Sequence, residues 1–270
     1  MSLERSLHTP GNLSARPWKL FACDNRSEQL HIAFAALDLY LSRCGAPPNP
    51  RSPGDLAPFL ELCSAVLASF PDLLASLASV DETVMRAFAR SSNGLLNPVA
   101  AIAGAIAAQE ALKRCSQKYV PVCDPQWFYF DAFDVLPDDG LQNETEFQPQ
   151  NCRYDHQIAV LGRSLQEALA RAKVFVVGAG AIGCEILKNF ALMGVACGDG
   201  LVTVTDNDHI EKSNLSRQFL FRPHHIKHSK SLCARDSVLH INRDMKYAAG
   251  CPALHIDPQS VSLLLLMLQG

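Results

Sequence analysis

Val174-Phe175-Val176-Val177-Gly178-Ala179-Gly180-Ala181-Ile182-Gly183 joins a short continuous apolar run to a G-x-G-x-x-G turn. The run has strand length, and Cys184 to Met193 behind it carries Ile186, Leu187, Phe190 and Met193 along one side of a helix. Gly178 permits the tight turn, Gly180 removes the Cβ that would block a phosphate, and Gly183 lets helix pack on strand. Leu201-Val202-Thr203-Val204-Thr205 follows as a second strand and completes a βαβ rhythm. An all-apolar strand buried on both faces belongs to a parallel sheet flanked by helices, so the fold class is α/β. The helix N-terminus offers unpaired amides and a partial positive charge to phosphates.

Asp206 ends the second strand, and Asp208 lies two residues on. An acidic residue at that place accepts the ribose hydroxyls of a nucleotide, which leaves NAD and ATP both open. The next segment, Glu211 to Pro223 with Lys230 a little beyond, decides between them. A dehydrogenase needs a dry apolar place for nicotinamide, whereas Asn214, Arg217 and Lys230 stand where a triphosphate tail would run. Arginine clamps phosphate oxygens with a planar fork and lysine adds a point charge, together neutralising a pyrophosphate leaving group. That is the chemistry of carboxylate adenylation.

Upstream, residues 1–26 hold Pro10, Gly11 and Pro17 without periodicity and read as loop or disordered. Residues 27–95 read as a helical bundle region. There Leu30, Phe34, Leu37 and Leu41 recur at helical spacing up to the breaker cluster Gly45 to Pro50, and a second helix spans about Leu56 to Ser69. Ser79-Val80-Asp81-Glu82 predicts a capping box opening a third helix, which runs to Arg90. Asn97-Pro98 predicts an N-cap and first turn for a helix to about Arg114. Its small face, Ala100, Ala101, Gly104, Ala105, Ala107 and Ala108, suits a packed core helix. Trp127 to Asp131 reads as a strand with a turn at Pro137 to Gly140 behind it, and residues 141–150 as a polar linker.

Composition narrows the function classes. The chain of 270 residues carries 24 Lys+Arg against 27 Asp+Glu, so it lacks the basic footprint of a nucleic-acid binder, and no nucleic acid is expected as partner. Pro98 to Ala108 and Val261 to Leu268 fall short of the ~20 apolar residues of a membrane span, so no membrane is expected either. The 10 cysteines are scattered without any C-x-x-C, and the N-terminus has no apolar signal core. Both point to reduced thiols in a cytoplasmic or nuclear setting.

The run GAGAIGCEILKNFALMG, then TDNDHIEKSNLSRQFLFRP, resembles the active adenylation domain of the ubiquitin-activating (E1) enzymes, a Rossmann-like domain of ThiF/MoeB type. Arg153 to Val160 resembles the segment leading into it. Gln29 to Phe34, Ala107 to Lys113 and Gln126 to Ala132 are similar to the family's four-helix bundle and the C-terminal part of its inactive adenylation half. The resemblance runs from about Ser27 to about Arg243 and implies a helical region followed by the beginning of a parallel-sheet adenylation domain. On that pattern residues 96–140 close the inactive half, 151–246 are a partial active adenylation domain, and 247–270 are a divergent tail whose Leu263 to Leu266 run exposes apolar surface.

The resemblance implies ATP and Mg²⁺ as cofactors, ubiquitin or a ubiquitin-like protein as substrate, and an E2 conjugating enzyme as recipient. It places Gly178, Gly180, Ala181 and Gly183 against the nucleotide and Asp206 on the ribose. Asn214, Arg217 and Lys230 fall on the triphosphate, the last two favouring attack at the α-phosphate. The family's Mg²⁺-binding aspartate, its catalytic-cysteine domain and its E2-recruiting domain would lie beyond the matched region. The chain is therefore expected to be truncated and catalytically incomplete, with no metal ligand and no thioester cysteine to nominate; Cys184 inside the matched helix reads as a small buried residue. The rival readings are a non-catalytic partner of the same pathway docking through the Ala-rich helix face and an NAD-dependent oxidoreductase.

Overall fold

A computed structural model describes residues 3–11, 13, 25–118, 127–137, 143–250 and 263–266. The chain divides into two compact units, Met1–Gln150 with Ala159–Leu161, and Asn151–Ile158 with Gly162–Gly270.

The first unit is helical: α1 (Leu3–His8), α2 (Arg26–Cys44), α3 (Pro53–Ser69), α4 (Pro71–Ser76), α5 (Glu82–Ser91) and α6 (Asn97–Ser116). Its core gathers Ile32, Ala33 and Ala36 of α2, Phe59 and Cys63 of α3, and Met85 and Phe88 of α5. The rings of Phe59 and Phe88 stack with centroids 6.3 Å apart. The buried stripe of α2 differs from the expected one: Leu30, Ala33, Ala36 and Tyr40 are buried, whereas Phe34 is 48% and Leu41 38% exposed. Small residues let the neighbouring helices approach, so side-chain size does not mark the inner face.

The cap of α5 also differs. Asp81, not Ser79, occupies the cap, its carboxylate accepting from the amides of Thr83 (2.9 Å) and Val84 (3.3 Å). Glu82 is the first helical residue and pairs with Arg86 one turn on. In α6 the cap is Leu96, with Asn97 already helical. None of its residues is buried, against the expectation of a core helix, and a Cβ built on Gly104 meets nothing within 4 Å. Trp127 to Asp131 forms no strand; its residues pack instead as single aromatic rings, Trp127 and Tyr129 both edge-on to His31. Against the expectation of loop over residues 1–26, Leu3–His8 forms helix α1 and Leu13 is buried at 3% exposure; residues 14–24 and residues 138–140 of the expected turn lie outside the described residues.

The second unit holds α7 (Asp155–Leu161) in part, then α8 (Arg163–Arg171), β1 (Lys173–Val177), α9 (Ala181–Met193), β2 (Leu201–Thr205), α10 (Lys230–Ile241), β3 (Tyr247–Gly250) and β4 (Leu263–Leu266). The strands form one parallel sheet in the order β3-β2-β1-β4, with Val174 opposite Val202 and Val176 opposite Val204. These four valines are buried against Cys184, Leu187 and Ala191 of α9 and Ala234 and Val238 of α10. Phe175 and Val177 on the alternate face are half-buried.

The supposed tail of residues 247–270 is corrected in two places. Tyr247–Gly250 pairs with β2, and Leu263–Leu266 pairs with β1 along the register Val174↔Leu263 to Val177↔Leu266. The sheet therefore extends past the two strands legible in the sequence. Short strands held by a neighbour's register need little propensity of their own, which is why Tyr-Ala-Ala-Gly carries no strand signature. Among the described residues, no helix is long and apolar enough to cross a membrane.

Candidate functional site

The site lies at the carboxyl ends of β1 and β2, the end where parallel α/β sheets open a crevice for ligands. The amide of Gly178 donates to the carbonyl of Thr205 at 2.8 Å, and the chain then turns at φ 100, a conformation that favours glycine. A Cβ on Gly183 would stand 2.3 Å from the carbonyl oxygen of Gly178, so the helix sits on the turn as closely as a backbone allows. Gly180 is the N-cap of α9 and supplies no side-chain cap, leaving the first-turn amides to whatever enters the cleft. A Cβ there meets nothing nearer than the Nε2 of Gln218 at 4.0 Å.

Opposite the turn, the loop after β2 folds over the crevice. Lys212–Ser216 is a 3-10 turn in which Asn214 Oδ1 accepts from the Glu211 amide at 2.9 Å and fixes Arg217 at its end. Asn214 is 7% exposed; Arg217 is exposed and donates to the carbonyl of Ser213 at 3.2 Å. Lys230 opens α10, is 6% exposed, and reaches Asp208 Oδ2 at 2.8 Å. Together these elements enclose a cleft of about 770 Å³. Its walls include Gly178, Gly180, Ala181, Gly183, Asn214, Arg217 and Lys230, so seven of the eight residues nominated from the sequence meet in one place.

Asp206 is the eighth, and its place is different. Its Oδ2 accepts from the Ala179 amide at 2.7 Å and its Oδ1 from the Asp208 amide at 2.8 Å, and it does not belong to the cleft wall. The carboxylate straps the glycine turn to the end of β2. Asp208 stands on the wall instead, beside Lys230.

Among the wall residues without a role assigned from the sequence are Gln218 and Lys227. Gln218 is 3% exposed on the cleft wall, and its buried Oε1 finds no hydrogen-bond partner. Lys227 lines the same cleft from the segment before α10. Gln218 adjoins Arg217 in sequence, but nothing in the one-dimensional pattern says that its side chain turns inward. Cys184 is fully buried under the glycine turn, and burial pushes its thiol up to about 12, which leaves it without thiolate character. Among the described residues, no group of three or more His, Cys, Asp or Glu is placed to hold a metal ion.

A strand-turn-helix crevice with an uncapped helix start, a rim that carries three cations and a parallel sheet defines the class: a Rossmann-type α/β domain. The ThiF family model matches residues 154–264, which include β3 and run into β4, and the model of the ubiquitin-activating enzyme E1 four-helix bundle matches residues 1–67. Ubiquitin-activating enzyme E1 2 of Arabidopsis thaliana is 46% identical over 241 residues, covering 89% of this chain and 22% of its own length. Ubiquitin-like modifier-activating enzyme 1 of Homo sapiens is 47% identical over 226 residues, covering 82% of this chain and 21% of its own. A solved structure of E. coli MccB with ATP is 28% identical and overlays with a TM-score of 0.36, covering 42% of this chain and 34% of that one. The chain belongs to the ubiquitin-activating enzyme (E1) family, and it spans about a fifth of the length of these curated relatives.

Proposed function

We propose that the cleft binds ATP and serves the adenylation of a C-terminal carboxylate of ubiquitin or a ubiquitin-like protein. The observation that carries this reading is the pairing of an uncapped α9 N-terminus with Arg217 and Lys230 across one cleft. Bound ATP supplies the electrophilic α-phosphorus and the pyrophosphate leaving group. The amides at Ala181 and beyond hold phosphate oxygens, because the aligned peptide dipoles leave positive charge at that end. Asn214 Oδ1 is taken by the Glu211 amide, which leaves its Nδ2 to donate to a phosphate oxygen. Arg217 and Lys230 neutralise the charge that develops on the departing pyrophosphate, the electrostatic contribution that dominates such reactions. Asp206 acts one step back, keeping the glycine turn in register with β2. Mg²⁺, which the family implies, finds no group of three or more His, Cys, Asp or Glu placed to hold it among the described residues. Transfer of the acyl group to a cysteine and on to an E2 enzyme, and residence in the cytoplasm or nucleus, belong to the same proposal.

The test begins with ATP binding to the 270-residue chain. Gly180→Leu is the matched control, since its φ of −74 accepts any residue while the new side chain fills the cleft. Binding by the parent and loss in the variant are expected; equal binding by both sinks the assignment. ATP–pyrophosphate exchange with and without ubiquitin then tests the adenylation step. Exchange that depends on the modifier supports it, and no exchange from a folded, ATP-binding sample limits this chain to holding the nucleotide.

A further inference from the structure

We infer that Lys227 is a third cation of the nucleotide cleft, binding the outer phosphates of a nucleoside triphosphate beside Arg217 and Lys230; the inference rests on the nucleotide reading of the cleft. Lys227 lines the cleft with its backbone at φ 71, in the left-handed region that L side chains rarely adopt. The position is pinned. Its amide donates to the carbonyl of Ile210 at 2.8 Å, the amide of Ile210 donates to the carbonyl of His228 at 2.9 Å, and Ile210 is 1% exposed. Glycine would take this backbone conformation without a steric penalty, so the lysine is held in a strained place where its side chain has to provide a return.

Charge points the same way. The ammonium of Lys230 is matched by Asp208 at 2.8 Å, and Arg217 donates to the carbonyl of Ser213 at 3.2 Å. Lys227 is exposed at the rim and makes no side-chain hydrogen bond or ion pair among the described residues. Lys230 meets a polyphosphate with part of its charge already balanced by Asp208, whereas Arg217 and Lys227 line the cleft with no ion pair among the described residues and bring their full charge to the ligand. A monophosphate needs fewer such partners than a triphosphate. Lys227 therefore adds discrimination for ATP over AMP rather than general affinity.

The experiment displaces a fluorescent N-methylanthraniloyl ATP from the full 270-residue chain with ATP or AMP, titrated to millimolar concentrations, in the parent, Lys227→Gly, Lys227→Gln and Gly180→Leu. Both Lys227 variants are expected to weaken ATP about five- to tenfold, the size of one charge-assisted hydrogen bond at a partly wet rim, and to leave AMP nearly unchanged. Their ATP affinity falls less steeply with added salt than that of the parent, because one screened charge is gone. Lys227→Gly is also expected not to lower the thermal midpoint, since glycine fits φ 71. Parent-like ATP affinity in both variants overturns the role of Lys227 while leaving the cleft reading intact. A parallel loss of ATP and AMP together with a lowered midpoint also overturns it, marking Lys227 as structural. If the parent binds no nucleotide, or Gly180→Leu binds as the parent does, the cleft reading fails and the Lys227 assignment falls with it.

Discussion

At the scale of single residues the site depends on contacts that allow no extra atom. A methyl group on Gly183 meets the carbonyl oxygen of Gly178 at 2.3 Å, so Gly183→Ala pushes α9 off the turn. A loss of about 1–3 kcal/mol in urea unfolding is expected, with ATP affinity falling alongside, because the helix start that holds phosphate is the part displaced. Asp206 separates two roles. If it served only a ribose, Asp206→Asn would leave the ligand-free protein unchanged. Its oxygens instead accept two backbone amides, and an amide group can serve only one of them. Asp206→Asn is therefore expected to cost about 1.5–3 kcal/mol with no nucleotide present, and an unaltered urea midpoint would return the residue to the ribose. The cleft positions of the glycine turn, Arg217 and Lys230 were legible in the sequence because the spacing of the motif puts each at one place, whereas Lys227 stood outside it. Asp206 and Gln218 were not fully legible, because what decides their roles is which way a side chain turns and which amide it finds first.

At the scale of elements, the two ends of α9 do different work. The N-terminus is left open for a ligand, while the C-terminus is closed by polar side chains from elsewhere in the unit. Asn242 Nδ2 donates to the carbonyl of Ala191 at 2.8 Å and to Tyr154 Oη at 2.8 Å, and Gln157 and Gln166 both donate to the carbonyl of Met193. Asn242→Ala leaves a buried carbonyl unsatisfied and is expected to destabilise by about 1–3 kcal/mol while ATP affinity stays put, the opposite pairing to Gly183→Ala. Equal losses in both measurements would show that the two helix ends are not separable. The stretch Arg153 to Val160, visible in the sequence only as a family likeness, acquires a physical role here. In the helical unit His31 is 1% exposed, its Nε2 donating to the carbonyl of Leu7 (2.8 Å) and its Nδ1 accepting from Tyr129 Oη (2.6 Å). Burial holds its pKa below the ordinary 6.5. The unfolded chain then takes up a proton that the folded one refuses, so stability is complete above about pH 6.5 and declines as pH falls through the lowered folded value. Trp127, edge-on to this imidazole at 5.4 Å, reports the change through its fluorescence. His31→Gln is expected to flatten the pH dependence of the urea midpoint over that range. Helix positions were readable from breakers and caps, but burial was not: α6 has the smallest face in the chain and no buried residue, while α10 buries Lys230, Ser231, Cys233, Ala234 and Val238 with no evident stripe.

At the scale of the whole molecule, the sequence pattern marks two strands of a sheet that has four, and the reason is topological. A parallel sheet places sequence neighbours β1 and β2 side by side but recruits its remaining strands from further along the chain, where a strand of four residues leaves almost no periodic trace. Leu263–Leu266 read as an apolar end with nothing to cover it; in the sheet its backbone pairs with the full run Val174 to Val177, the strand that delivers Gly178 to the cleft. Truncation after Gly250 strips that partner away and leaves the amides and carbonyls on one side of β1 without their ladder. The shortened chain is expected to scatter light at concentrations where the parent is clear, to unfold at lower urea, and to lose ATP binding although every cleft residue is still present. Replacing Leu264 and Leu266 with threonine in the full-length chain keeps a strand-forming backbone with fewer apolar atoms, and it should fall between the two. If the truncated chain keeps the parent's urea midpoint and ATP affinity, β4 contributes nothing to positioning the glycine turn and the site rests on β1, β2 and α9 alone.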